Sequence, residues 1–355
     1  MTRPSPLTAK QLSELVGAGE TISRRELAGQ DLRQATLCGA MFEEVDLREV
    51  DLRGVDMRES LFRACRFDAA KLAGADLRMS VFNGCQFTGA DAQGAKLNAT
   101  VIDAGDAQGL ILRDADLRYA AISNLKLTHA VLINANFDSC ALLDCDLTGL
   151  DLTGTAVVAT TFIGADMRQA KLEGASFERV IFSSANFEGA TFPGLVAKIC
   201  QFSDANLTGA VLAKANLTQS NFKGAKLGGA IVTEANVANA LFIEADLRQA
   251  NFAQSKLVQS LFIDALLEQA DFTRANMQQC ILHRARCKQA RFLGADLTYA
   301  DFSEADLSGA DLDSATMFRA NLHRVDDTHA NIPGRAAALA TDPQLAAAQG
   351  WQPKY

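Results

Sequence analysis

The stretch ALFIEADLRQANFAQSKLVQSLFIDA, residues 240–265, contains the tripeptide LFI twice, at 241–243 and at 261–263. Its three phenylalanines, Phe242, Phe252 and Phe262, belong to a series in which a large apolar residue occupies every fifth position from Leu27 to Ile332, with smaller or charged exceptions but no insertion or deletion. The positions of this series that are not Leu, Phe, Ile, Val or Met are Ala92, Ala107, Ala197, Cys287 and Asp327. The chain is therefore an array of five-residue repeats.

A five-residue period matches neither the turn of an α-helix nor the two-residue alternation of a long strand. It fits three extended residues that point inward, outward and inward, followed by two residues that turn the chain. The large residue of the series, the centre of each repeat, takes one inward position. A small residue two places earlier takes the other, as Ala205, Ala210 and Ala215 do. The pattern predicts a coil with flat sides around a continuous core of stacked residues.

Phenylalanine indicates how many sides one coil has. Every Phe except Phe318 belongs to the five-residue series. The column richest in Phe, read every twenty residues, is Phe42, Phe62, Phe82, Ile102, Ile122, Leu142, Phe162, Phe182, Phe202, Phe222, Phe242, Phe262, Leu282, Phe302 and Leu322. Twenty residues thus return the chain to the same side, which predicts four sides per coil and stacked Phe rings along one wall. We call this wall the phenylalanine side.

The motif A(D/N)LXX, present as ANLTG, ADLRQ and ADLSG, resembles the repeat of the pentapeptide repeat family over about residues 22–332. The resemblance implies an all-β solenoid, specifically a right-handed quadrilateral β-helix. It implies little about function, because the members of the family are diverse. We predict an N-terminal capping helix at 1–21, the β-helix at 22–332, and a C-terminal capping or dimerisation helix at 333–355.

Both ends carry the signals of short terminal α-helices. In LTAKQLSELVGAG, Thr8 and Gln11 form a capping-box pattern, and in TDPQLAAAQG, Asp342 is placed to cap a second helix. Open coil ends expose core and unpaired backbone, so we expect both helices to act as lids. The resemblance adds another role, because some family members dimerise through a C-terminal helix. The residues that would serve it here are Leu345, Ala348 and Trp351.

Two stretches depart from the repeat. The tetrapeptide DAQG, at 91–94 and at 106–109, places Ala at a centre each time, and Gly105 lies beside the second copy. The stretch FPGLVAKIC, at 192–200, does the same with Ala197. Each stretch either forms a kink or altered turn, or keeps the regular coil with a small residue that the core tolerates.

Composition and charge exclude several classes of function. The net charge of −8, with acids and bases interspersed, disfavours nucleic-acid binding. The start MTRPSPLTAKQ has no apolar segment typical of a secretory signal, and no stretch approaches about 18 apolar residues, which predicts no membrane span. We therefore expect a cytoplasmic protein, and the family resemblance implies one of bacterial type.

The residues give no support for catalysis, a metal or a cofactor. Most cysteines occupy the small inward position, Cys287 is a centre, and only Cys38 lies at an outward corner. The cluster His323, Asp326, Asp327 and His329 contains metal-ligand residue types but fits no known ligand spacing, so we interpret it as solvated surface. With no nucleophile elbow and no phosphate-binding Gly loop, we expect a protein that is not an enzyme.

The outward positions of the phenylalanine side carry the main functional hypothesis. They are rich in aliphatic residues, whereas the next side is mostly charged or amide. A contiguous apolar band on one face predicts a protein-binding or self-association surface, and thus a protein partner or a homodimer. The alternative is that aliphatic residues merely suit a strand there. The predicted face consists of Leu61, Val81, Val101, Leu143, Ile163, Ile181, Leu241, Ile243, Leu261, Ile263 and Ile281.

The resemblance adds two further hypotheses. Quinolone-resistance members of the family mimic DNA and bind a type II topoisomerase, gyrase, which requires a continuous negative surface. Acids cluster near both ends of this chain, but those of the first section, around residues 31–59, are diluted by Arg33, Arg48, Arg53 and Arg58. Long pentapeptide proteins with a helical start are also sometimes encoded with bacterial secretion machinery, which suggests an accessory or adaptor protein.

Overall fold

The structure is a computed structural model that describes residues 7–349. The chain divides into two compact units, residues 1–182 and residues 183–355. Each unit is a parallel β-solenoid in its own right.

The first unit begins with helix α1, Ala9–Gly17. The Thr8 hydroxyl accepts a hydrogen bond from the Gln11 N–H, and the Gln11 side chain accepts one from the Thr8 N–H, so the predicted capping box is present. Leu12 is fully buried, and the Ser13 hydroxyl accepts a hydrogen bond of 2.8 Å from the Thr36 N–H. These contacts fix α1 against the first coil.

Short strands on the phenylalanine side make up most of the regular structure of the first unit. Each strand pairs in parallel with the strand twenty residues further on, as Phe42 pairs with Phe62 and Phe62 with Phe82. Single bridges with the same offset join the other sides. The strands are β1 Thr21–Ser23, β2 Met41–Glu43, β3 Leu61–Arg63, β4 Val81–Gln86, β5 Val101–Asp106, β6 Ala121–Lys126, β7 Ala141–Leu143, β8 Ala156–Val158, β9 Thr161–Ile163 and β10 Ser176–Glu178. β8 and β10 pair on a different side from the rest.

Backbone geometry shows the four corners of a coil. Glu44, Glu49, Gly54 and Glu59 follow one another at five-residue intervals and have φ of 53°, 56°, 69° and 59°. This left-handed conformation is costly for most residues, and here it turns the chain between flat sides. The predicted quadrilateral coil of twenty residues is therefore confirmed.

The core of the first unit consists of the predicted inward residues. Phe42, Phe62 and Phe82 stack with ring centroids 5.1 and 4.7 Å apart, and Phe67 and Phe87 stack at 5.1 Å on the next side. All of these rings are buried. Stacking of equivalent side chains on successive coils is the contact that the twenty-residue period predicts.

The first irregular stretch keeps the ladder register. Cys85 pairs with Gly105 and Gly105 with Leu125, so no loop interrupts the coils, although β4, β5 and β6 each extend over six residues. Leu110 and Leu125 occupy small inward positions and compensate for Ala107 at a centre. A cavity of about 20 Å³ remains among these apolar side chains.

The second unit repeats the same coil with fewer long strands. It contains β11, Val196–Lys198, and single parallel bridges twenty residues apart from Asn186 to Asn331. Phe202, Phe222, Phe242 and Phe262 stack with successive centroid distances of 4.9, 4.9 and 5.0 Å.

In the second irregular stretch the large and small residues have exchanged places. Leu195 takes the small inward position and Ala197 the centre, and both are buried. The Ala197 N–H donates to the Asn216 carbonyl at 2.8 Å, so the ladder continues there without a loop.

The last coil is closed by irregular structure. Asp327, the one charged centre, forms an ion pair with Arg335 of a 3₁₀-helix, Pro333–Ala337, which sequence patterns did not predict. Leu339 then forms a parallel bridge with Asn321, which extends the ladder beyond the last coil by one residue. Helix α2, Pro343–Gln349, follows, and the Asp342 carboxylate accepts hydrogen bonds from the N–H groups of Gln344 and Leu345. Both predicted terminal helices are thus present.

Candidate protein-interaction face

All residues of the predicted face lie at outward positions of the phenylalanine side. Val81, Val101, Leu143 and Ile163 are the most exposed, with 37–41 % of their surface accessible. The others, in both units, are half-buried: Leu61, Ile181, Leu241, Ile243, Leu261, Ile263 and Ile281. No member of the set belongs to the core.

In the first unit, strand pairing brings the predicted residues together in two groups. Leu61 pairs with Val81 and Val81 with Val101, so these three side chains are stacked neighbours. Leu143 pairs with Ile163. This pair lies on the same side of the coil, two positions further along the chain than the position that the first group occupies. The small residues of β6 and β7 separate the two groups.

In the second unit, five predicted residues form one group. Leu241 pairs with Leu261 and Leu261 with Ile281, while Ile243 and Ile263 stack two positions further along the same coils. We call these five residues the aliphatic patch. At one end of the patch, the Asn221 amide donates to Gln201 at 2.9 Å, and at the other end Ile281 pairs with Asp301.

Four exposed apolar residues at the corner before the phenylalanine side were missed by the sequence reasoning. They are Met79, Tyr119, Ile199 and Tyr299, and all have φ near 60°. Tyr119 is 63 % exposed and extends the apolar surface of the first unit around the corner beside Ala121. Their positions differ by multiples of twenty, so sorting corner residues by coil would have identified them.

Tyr299 lies in an exposed cluster of the second unit. Its ring meets that of Phe318 edge to face at 5.7 Å, and the guanidinium of Arg319 lies over it at 6.0 Å. Phe318, the one phenylalanine outside the five-residue series, is 53 % exposed. Aromatic and Arg side chains of this kind are common contact residues in protein interfaces.

The aspartates of the first section form ion pairs with arginines two positions further along the chain. In each Asp-Leu-Arg sequence the Leu points inward, so the Asp and the Arg both point outward and meet. The Arg33 side chain donates hydrogen bonds to Asp31 and lowers the pKa of that carboxyl to about 2. The carboxylate-to-guanidinium distances are 2.6 Å for Asp31–Arg33, 2.5 Å for Asp46–Arg48, 2.6 Å for Asp51–Arg53 and 2.8 Å for Asp56–Arg58.

The acids of the last section encircle the solenoid and do not run along it. Asp296, Asp301, Asp306 and Asp311 occupy equivalent positions on the four successive sides of one coil. The residues stacked against them are mostly neutral or basic, as Asn276, Ile281, Arg286 and Arg291 are on the preceding coil. Neither acidic section forms the continuous negative strip that a DNA mimic requires.

The predicted cluster at residues 323–329 is not solvated throughout. His323 is only 5 % exposed, because α2 covers it, so the interpretation of this residue as solvated surface was wrong. Its Nδ1 accepts a hydrogen bond from the Asp342 N–H at 3.2 Å, and its Nε2 lies 2.8 Å from Gln349 Oε1, to which it donates. In residues 7–349, no group of three or more His, Cys, Asp or Glu side chains forms a metal site.

Of the residues predicted for dimerisation, Leu345 and Ala348 are exposed on α2. Trp351 lies outside the described residues. No helix between residues 7 and 349 has the length and apolar character needed to cross a membrane.

The eight cysteines are free thiols, and all except Cys38 are buried, as predicted. Burial raises the pKa of the Cys280 thiol to about 12, because the thiolate would lie in an apolar core. The seven buried thiols fill the core as packing residues.

Several solved structures resemble the chain at low identity. HetL, a pentapeptide repeat protein of the cyanobacterium Nostoc sp. strain PCC 7120 involved in regulating heterocyst differentiation, is 20 % identical, with 75 % of this chain and 88 % of HetL aligned and a TM-score of 0.21. QnrB1, a plasmid-mediated fluoroquinolone resistance protein, is 19 % identical over 47 % of this chain and 83 % of its own, with a TM-score of 0.29. A pentapeptide repeat protein of the Arabidopsis thaliana thylakoid lumen is 26 % identical over 35 % and 65 %, with a TM-score of 0.14.

No curated protein matches the chain in sequence. Family profiles, in contrast, match more than half of it. The profile described as pentapeptide repeats (8 copies) matches residues 26–58, 60–101, 111–154, 260–298 and 295–326, and the one described as pentapeptide repeat region matches residues 175–252 and 197–272. With its five-residue period, stacked core and four-cornered coil, the chain belongs to the pentapeptide repeat family.

Proposed function

We propose that the protein is a non-enzymatic scaffold that binds a protein partner, another protein or a second copy, through the outward aliphatic residues of its phenylalanine side. The observation that carries this proposal is the stacking of Leu241, Leu261 and Ile281 on consecutive coils. Single exposed aliphatic residues are ordinary on a protein surface, but a stacked group is not, because its apolar area stays in contact with water until a partner covers it.

The neighbouring side of the same coils supports the choice of face. There the equivalent outward residues include Lys226 and Asp246, which are backbone partners on adjacent coils. Asp246 also forms an ion pair of 2.6 Å with Arg248. Strand propensity alone would enrich aliphatic residues on every side of the coil, so their concentration on one side favours a binding surface.

The test is a pair of substitutions in the aliphatic patch, Leu241→Asp with Leu261→Asp. We expect the double variant to lose partner capture in a cross-linked pull-down, or dimerisation in light scattering, while its circular dichroism stays that of the wild type. Ile231→Asp is the matched control, because Ile231 is a 40 % exposed aliphatic residue on a different side of the second unit. Unchanged capture and unchanged mass in the double variant would refute the proposal.

The terminal segments have a supporting role in this proposal. We propose residues 1–21 and 333–355 as caps of the solenoid ends, because Leu12 is fully buried and Asp327 is paired with Arg335 over the last coil. Caps of this kind keep exposed backbone from recruiting other chains, so binding is confined to the lateral face.

Two finer parts of the proposal, a bacterial source and a role accessory to secretion machinery, rest on family resemblance alone, and the cytoplasmic location rests on the sequence pattern. Co-purification with secretion components would support them. For the DNA-mimic alternative, the paired and encircling acids give no support. We expect no inhibition of gyrase supercoiling at micromolar protein, and salt-sensitive inhibition would reverse that conclusion.

A further inference from the structure

The aliphatic patch of the second unit leads into a cleft beneath α2. Along the phenylalanine side, backbone hydrogen bonds link the coils of Ile263, His283, Ser303 and His323 in that order. His323 is held by both ends of α2, through the Asp342 N–H and the Gln349 side chain. The helix therefore lies on the last part of this face and forms a wall at one end of the patch.

The cleft between this wall and the coils has a volume of about 480 Å³, within the range of sites that hold a ligand or an inserted side chain. Its walls include the apolar Leu339 and Leu345, and the polar Asp301 and Asn321 lie between Leu339 and the end of the patch at Ile281. The other residues that line it are His283, Ser303, Glu304, Asn321, His323, Ala340, Asp342 and Gln349.

The charged side chains that line the cleft are acidic, and Arg284 and Arg324 contact its lining residues His283 and Gln349 from outside. Glu304 and Asp342 contribute carboxylates, and the lining contains no Lys or Arg. Glu304 lies 3.7 Å from Arg324 outside the lining, whereas the Asp342 carboxylate accepts only backbone hydrogen bonds in the described part of the chain. At the opposite end of the patch, Lys223 forms an ion pair of 4.0 Å with Glu244, so the charges there are balanced. The face is thus apolar in the middle and acidic at the cleft.

The spacing of the patch distinguishes between kinds of binding segment. Its side chains recur once per coil, about every 4.8 Å along the solenoid axis. A helix parallel to that axis presents a side chain about every 5.4 Å, whereas an extended chain presents one to the same face about every 6.7 Å. Over the two coil steps from Leu241 to Ile281, the side chains of a helix fall out of register with the patch by about 1 Å, and those of an extended chain by about 4 Å.

We infer that the second unit binds an amphipathic helix of a partner protein, laid along the aliphatic patch, with a Lys or Arg about one turn beyond its apolar anchors. The anchors contact Leu241, Leu261 and Ile281, and the basic side chain enters the cleft beside Glu304 and Asp342. This inference rests on the proposed function, because it assigns a partner to the same face.

Two display libraries of 16-residue peptides test it. One fixes Leu at i, i+4 and i+7, the helical spacing, and the other fixes Leu at i, i+2 and i+4, the extended spacing, with all other positions random. Both are selected on the full chain and counter-selected on the Leu241→Asp, Leu261→Asp variant. We expect enrichment from the helical library only, with Lys or Arg one turn beyond the last Leu.

The charge contact is tested with the enriched peptides and the variant Glu304→Gln, Asp342→Asn, which keeps the hydrogen-bonding atoms and removes both charges. We expect its affinity for the basic peptides to fall by a factor of about 5–10, with little change in Ile231→Asp. Enrichment from the extended library, enrichment without a basic residue, or no enrichment at all would overturn the inference. If partner capture is nevertheless lost in the double Leu variant, the proposed function stands and only the helical partner is wrong.

Discussion

Residues 81–127 and residues 202–262 build the same coil with different cores. In the second stretch the phenylalanine side holds a continuous stack of Phe rings, with Ala205, Ala225 and Ala245 as its small inward residues. In the first stretch Phe82 is the last ring of the stack, and Ile102 and Ile122 occupy the same position on the next two coils.

The first stretch balances its core volume between neighbouring positions. Ala107 is smaller than the usual centre residue, and Leu110 and Leu125 are larger than the usual residue of the small inward position. The two stretches nevertheless share their register, with partners twenty residues apart. The inward and outward alternation and the left-handed corners therefore determine the coil, whereas the identity of each core residue determines only how well it is filled.

Phe242→Ala has the largest expected effect. This ring is fully buried between two stacked neighbours at 4.9 and 5.0 Å. We expect the free energy of unfolding to fall by about 3–5 kcal/mol, measured by urea denaturation. Ile122→Ala, the matched change in the aliphatic stretch, removes fewer atoms and should cost less. Equal losses would show that ring stacking adds nothing to the second stretch.

Gly105→Ala should destabilise the first stretch by roughly 2–4 kcal/mol. A Cβ at this position would lie 2.0 Å from the carbonyl oxygen of Cys85, which is backbone and cannot turn away, and φ is 139°. Gly189→Ala is the control, because Gly189 is a corner glycine with φ of 63° and open space around it. A melting temperature that falls equally in both variants would mean that backbone strain alone, without the contact, explains the loss.

Ala92→Val tests whether the first stretch is underfilled. Ala92 lines the cavity of about 20 Å³, whose walls are entirely apolar. Two added methyl groups should stabilise the protein by about 1 kcal/mol, seen as a higher urea midpoint with an unchanged slope. Ala245→Val, at a small inward position of the uniformly packed stretch, should be destabilising. Stabilisation in both places would contradict the difference between the two cores.

The repetitive part of the molecule could be predicted from sequence, because each repeat satisfies the same local rule. The inward and outward assignment of Leu261, and hence of the whole predicted face, follows from counting by five. What could not be predicted is structure that occurs once. The burial of His323 and the cleft depend on where α2 packs, a long-range contact with no periodic signal. The exposed Tyr119 was missed because corner residues were taken as turns only.

The surfaces of the two units differ as much as their cores. In the first unit, Asp-Leu-Arg sequences form ion pairs within one side of a coil, as Asp116 and Arg118 do at 2.7 Å. In the second unit, amide ladders cross from coil to coil, and Gln249 donates to Gln269 at 3.0 Å and Gln269 to Gln289 at 3.1 Å. Both arrangements satisfy outward polar groups, but only the ion pairs depend on pH.

Arg118→Gln has the smallest expected effect and isolates that dependence. Hydrogen bonds from the Arg118 side chain lower the pKa of Asp116 to about 2, so the pair contributes stability above about pH 4 and loses it as the pH falls toward 2. The variant should raise the pKa of Asp116 toward its ordinary value, followed by carboxyl ¹³C NMR, and should change stability at pH 7 by less than about 1 kcal/mol, because the pair is partly exposed. The same experiment on Gln269→Ala should leave the acid dependence of unfolding unchanged. An unshifted Asp116 would show that its low pKa comes from the Asn98 side chain and the Arg118 backbone N–H and not from the guanidinium.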